Sequence, residues 1–165
     1  PLVLKRLMNI LNFIIKKSGK IGSFLILLLI ILVSFSVILR YVFSIGFIWL
    51  QDLYIWVHAI FILLGLAYTL NEDEHVRIDL LYRSVKKKIK KKINFFGALF
   101  FGMPVSFILI FNGFDYFYRS FLLNESSKET GGLPFIFILK FFIFLMGSFL
   151  FFELFRQILN FSRKK

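Results

Sequence analysis

The chain has 165 residues, of which 59% are hydrophobic, and carries a formal net charge of +12. It is too apolar for an ordinary soluble domain, and its length leaves no room for a soluble catalytic domain beside its apolar segments. It holds 25 Phe and no Cys, which excludes disulfides, thiolate metal sites and cysteine nucleophiles.

In chain order, Leu4, Leu7, Met8, Leu11 and Ile14 or Ile15 recur at helical spacing, with Lys5, Arg6, Lys16 and Lys17 elsewhere. This pattern predicts an amphipathic helix lying in the membrane interface over residues 1–20. Its spread of basic residues and lack of a small-residue cleavage site distinguish it from a signal peptide. Four apolar stretches follow, at about 21–43, 47–70, 93–114 and 134–155. Each is long enough to cross the ~30 Å hydrocarbon core. In lipid only a helix pairs all its own backbone groups, so each stretch is expected to be a transmembrane helix. In the basic joint 71–92, Ile78, Leu81, Val85, Ile89 and Ile93 recur every three or four residues, which predicts a second interfacial helix. Pro104 should kink the third span, and Pro134 suits the first position of the fourth. The expected fold is all-α and integral to the membrane. It is a single domain over 1–165, with four spans and short amphipathic interfacial helices.

Charge placement sets the expected topology. Residues 1–20 carry Lys5, Arg6, Lys16, Lys17 and Lys20 with no acid, joint 71–92 is net basic, and the tail holds Arg156, Arg163, Lys164 and Lys165. Joint 116–133 is balanced and joint 44–46 uncharged. By the positive-inside rule both termini and joint 71–92 are cytoplasmic, as an even number of spans requires. The run from Lys86 to Lys92 is a topology determinant and a contact for anionic lipids. Its position directly before a span argues against a nucleic-acid patch.

Arg40 and Asp52 lie at similar depth on adjacent antiparallel spans, where an ion pair would offset their desolvation and clamp the first hairpin. A direct part in translocation is the alternative. Gln51, Ile55, His58, Ile62 and Gly65 share one face of the second span. His58 sits near mid-membrane and is read as a packing or subunit contact, with a proton relay as the alternative. Ala98, Gly102 and Ser106 form a small-residue stripe on the third span that permits close helix approach. One of these two faces can close the four-helix bundle; the second-span face is the expected intersubunit contact. Lys140 can snorkel outward. The polar groups come singly, without paired acids or a broken helix. No transport site, catalytic group, metal site or cofactor is therefore expected on this chain.

The runs Arg40-Tyr41-Val42-Phe43 and Trp49-Leu50-Gln51-Asp52-Leu53, then His58, Leu64-Gly65 and His75-Val76-Arg77-Ile78-Asp79-Leu80, resemble the small permease (DctQ-type) subunit of tripartite ATP-independent periplasmic (TRAP) transporters. Length, span number and the basic central joint are similar too. Gly131-Gly132-Leu133-Pro134 with Lys140 and Gly147 looks like the opening of the fourth span in one branch of that family. That branch commonly has Pro where Leu145 stands, and Gln51 occupies an acidic position. The resemblance marks Trp49, His75, Asp79 and Lys140 as motif positions. It implies a bacterial inner-membrane protein that is not an enzyme. Its partners would be a large permease subunit, which holds the substrate and sodium sites, and a periplasmic binding protein that delivers an organic acid. A self-contained homo-oligomeric exporter or channel, or the membrane anchor of a redox enzyme, are the competing readings.

Overall fold

The computed structural model describes residues 2–72 and 85–163. The described residues form helices and connecting turns: α1 (Leu2–Val42), α2 (Ile48–Asn71), α3 (Lys87–Gly97), a π-helical turn (Ala98–Gly102), α4 (Met103–Leu122) and α5 (Phe137–Arg163). Four runs are long and apolar enough to cross a membrane: Met8–Val42, Ile48–Asn71, Lys88–Leu122 and Phe137–Leu159. The third therefore comprises α3, the π turn and α4.

The helix expected in the interface over residues 1–20 is the first half of α1, which runs unbroken for 41 residues. At 1.5 Å per residue it is about 60 Å long, about twice the hydrocarbon thickness. Tertiary packing holds it in line. Ile15 is only 2% exposed and joins Ala67, Met146 and Leu150 in the core cluster. A Cβ on Gly19 would collide with the Tyr68 ring, so the missing side chain lets α1 close on α2 at this level. Amphipathicity alone could not show whether the apolar stripe faces lipid headgroups or a neighbouring helix.

Pro104 acts through the π turn that precedes it. Proline cannot donate to the carbonyl four residues back, and its ring crowds that carbonyl. The chain widens by one residue per turn, and the Met103 N–H bonds to the Ala98 carbonyl. Such bulges are an established way to absorb a break in the helical ladder. Ser106 Oγ donates to the Met103 carbonyl at 2.8 Å, just past the break.

Two further boundaries differ from expectation. Helix α4 continues to Leu122, and the fourth span begins at Phe137 rather than Pro134. Phe135 has φ 64°, a left-handed conformation that cannot lie within a right-handed helix, so the helix starts beyond it. The loop before it is tied down instead. The Ile136 N–H donates to the Glu125 carbonyl at 2.9 Å and the Ser127 N–H to the Leu133 carbonyl at 3.0 Å. Gly131 supplies a further left-handed residue at φ 85°, at no steric cost.

The helices pack as a row rather than a closed square. α1 packs on α2, α2 on α5, and α5 on α4, while α1 meets α5 over a short stretch. The α4–α5 seam has a seven-residue period. Ser106, Gly113 and Ser120 are buried on α4, and Lys140, Gly147 and Leu154 are buried on α5. That period is the signature of helices crossing at a shallow angle. Leu50, Val57 and Leu64 are the buried residues of α2 at the same spacing.

Candidate subunit interface

Polar side chains gather at the two ends of the row. At the loop end, Asp52 Oδ2 accepts the Leu133 backbone N–H at 2.9 Å. The expected Arg40–Asp52 pair does not form, for Arg40 is exposed and makes no ion pair among the described residues. A backbone donor has taken its place. The Gly131–Gly132 turn lays the chain directly on the carboxylate, and a Cβ on Gly132 would collide with Asp52 Oδ2. Asp52 therefore ties the first hairpin to the second, instead of closing the first on itself.

Beside it, Lys140 is 6% exposed, so it is held inward rather than reaching for water. Its Nζ pairs with Glu125 Oε2 and sits 3.8 Å from the Tyr116 ring centroid. Ser120 Oγ donates to the same Glu125 oxygen at 2.7 Å. These bonds, from Lys140 first and then Ser120, hold the Glu125 carboxyl below the usual carboxylate range. A depressed folded pKa contributes stability above the unfolded value and loses it as pH falls through the folded one. Thermal unfolding of the wild-type chain is therefore expected to lose a contribution on acidification below the ordinary carboxylate range. The drop should be smaller in Glu125→Gln, as melting curves at stepwise lower pH will show.

At the terminal end, Glu153 is 1% exposed and gathers donors from three residues. Arg156 Nε and Asn71 Nδ2 each reach Oε2 at 2.9 Å. Arg156 NH2 reaches Oε1 at 2.6 Å and Gln157 Nε2 reaches it at 3.1 Å. Asn71 Nδ2 also donates to Asn12 Oδ1 at 2.7 Å, so Asn71 links α1 to the carboxylate that joins α2 and α5. Lys16 and Glu72 form an ion pair at 3.0 Å on the flank. Arg156 and Gln157 lie within one turn of Glu153 on the same helix, whereas Asn71 and Asn12 come from other helices.

Between the ends lie the two faces singled out by spacing. Ala98 and Ser106 are buried, at 7% and 0% exposure, and a Cβ on Gly102 would stand 2.8 Å from a Leu154 methyl. This stripe lies inside the protein, against α5. Gln51, Ile55, His58 and Ile62 are exposed, and a Cβ on Gly65 would meet nothing within 4 Å. Trp49 is also exposed, with its ring 5.9 Å from that of Phe47. His75 and Asp79 lie outside the described residues. Much of α1 is exposed as well, including Phe24, Ile31 and Phe35, but those side chains are apolar and suited to lipid. The α2 face differs in carrying Gln51 and His58.

Four long apolar helices, with polar ties at their ends, define a multi-pass membrane protein. Residues 29–164 match the family model for the DctQ component of tripartite ATP-independent periplasmic transporters, and the chain belongs to that family. No curated protein matches the chain. It is the small membrane subunit of a TRAP transporter, a multi-pass protein of the inner membrane. The family works with a large permease subunit and a periplasmic binding protein. It is a family of transporter components, not of enzymes.

Proposed function

We propose that this chain scaffolds the large permease subunit through the Gln51–Ile55–His58–Ile62–Gly65 face of α2. Its loop end helps dock the periplasmic binding protein, in support of sodium-coupled uptake of an organic acid. Both termini are cytoplasmic in this reading, by the charge asymmetry of the joints. The observation that carries the proposal is the exposure of Gln51 and His58 within a span. Lipid tails would offer the His58 imidazole no hydrogen-bond partner, and Gln51 stands on the same face nearer the loop end, so their exposure in the isolated subunit suits a protein neighbour. Gly65 leaves room for close approach, on which helix association in lipid depends.

Cysteine crosslinking tests the surface, and the lack of native Cys keeps the background clean. Ile55→Cys and Ile62→Cys are expected to crosslink to cysteines on the large subunit within the intact complex. Ile108→Cys, exposed on α4, is not. Crosslinks confined to α1, α4 or α5 would reject the α2 face.

A further inference from the structure

We infer that α3 is a docking site for anionic phospholipid headgroups. The helix sequence Lys-Lys-Ile-Lys-Lys-Lys-Ile-Asn-Phe-Phe-Gly contains no acid. Its position is fixed from one side, where the Phe95 ring stacks on Phe161 of α5 with centroids 4.6 Å apart. That contact turns Ile89, Ile93 and Phe96 away from the protein, at 49%, 48% and 52% exposure. Spaced four and three residues apart, they form one apolar stripe. Lys88, Lys91 and Lys92 are exposed on the same helix.

Two observations identify the occupant. The stripe runs on, through Phe100 at 63% exposure, into a run apolar enough to cross the membrane. It is thus continuous with a surface that acyl chains cover. The lysines stand at the first turns of that 35-residue run, which is longer than the roughly 20 residues that cross the hydrocarbon, so its charged end suits headgroup depth. An apolar stripe beside exposed lysines, on a helix that carries no acid of its own, matches an anionic lipid, whose chains take the stripe and whose phosphate takes the ammonium groups. A zwitterionic lipid would satisfy the stripe but gain little from the charge. The inference concerns the chain's contact with the bilayer and does not depend on which face of α2 meets the large subunit.

Tryptophan quenching tests it on the full chain in nanodiscs, alone and in complex with the large subunit. Trp49→Phe and Trp56→Phe remove the two native tryptophans, and Ile93→Trp places a probe in the stripe. Phosphatidylglycerol brominated near the headgroup is expected to quench that probe about threefold more strongly than brominated phosphatidylcholine at equal mole fraction, with the preference falling as salt rises. The preference should vanish on adding Lys88→Gln, Lys91→Gln and Lys92→Gln. A probe at the loop end, Phe121→Trp, should show none and verifies that the fold and bilayer are intact. Equal quenching by the two lipids, or a preference that survives the glutamine substitutions, would overturn the inference. So would loss of quenching by both lipids in the complex, which would assign the stripe to the large subunit.

Discussion

Glu153→Ala is expected to destabilise the subunit by about 3–5 kcal/mol, the usual cost of breaking a buried, hydrogen-bonded charge pair from one side. Every group that reaches this carboxylate is a donor: two nitrogens of Arg156 and the amides of Asn71 and Gln157. Only an ionised carboxylate accepts on both oxygens in all directions. Glu153→Gln therefore presents one NH2 group to donors and should recover little of the loss, despite its near-identical shape. The partner's position moderates the effect. The Arg156 side chain is 28% exposed, so it can turn toward water once released, which places Glu153→Ala nearer the lower end of the range. Replacing both residues by leucine should be milder than either single change, because no charge is then left stranded. Denaturant unfolding of the detergent-solubilised subunit measures all four proteins. A Glu153→Ala loss within about 0.5 kcal/mol, the range of ordinary surface substitutions, would remove the carboxylate from its position as the tie between α2 and α5.

What the sequence made legible follows from the range of each interaction. Span number was readable because each helix satisfies its own backbone, so length and apolarity suffice. The Ala98–Gly102–Ser106 stripe was readable because its spacing lies within one helix. Asp52 shows the opposite case. Its partner is the backbone N–H of Leu133, 81 residues away, and a backbone donor has no identity in sequence. Charge complementarity at similar depth pointed to Arg40, and the Gly131–Gly132 turn supplied a nearer donor. Lys140 was read as a snorkelling side chain because its acid, Glu125, lies in a loop whose fold could not be deduced. The start of α1 failed for a related reason. An apolar stripe suits an interface and a helix neighbour equally, and only the position of Ala67, Met146 and Leu150 decides between them.

Gly147→Leu and Gly113→Leu should open the α4–α5 seam, each at roughly 1–3 kcal/mol or more, the range for overpacking a well-filled contact. A Cβ on Gly147 would lie 2.8 Å from Leu109 Cβ and 3.1 Å from the Ile110 nitrogen. One on Gly113 would lie 3.1 Å from the Phe144 nitrogen and 3.2 Å from its Cα. These neighbours are largely backbone, so no rotamer change relieves the clash and one helix must move bodily. The crossing lies between two further ties, Gly102 against Leu154 at one end and Glu125 with Lys140 at the other, and the displacement would strain both. Gly65 makes the informative contrast. Open space surrounds it in the subunit, and replacing a helical glycine lessens the backbone entropy lost on folding. Gly65→Leu should therefore leave the subunit at least as stable as wild type by denaturant unfolding. Copurification with the large subunit should reverse the ranking. Gly65→Leu is expected to lose the partner while folding normally, because the bulk falls on the proposed contact. Gly147→Leu should lose it only to the extent that the subunit itself unfolds. If Gly65→Leu copurifies as well as wild type, the α2 face is not where the two chains meet closely.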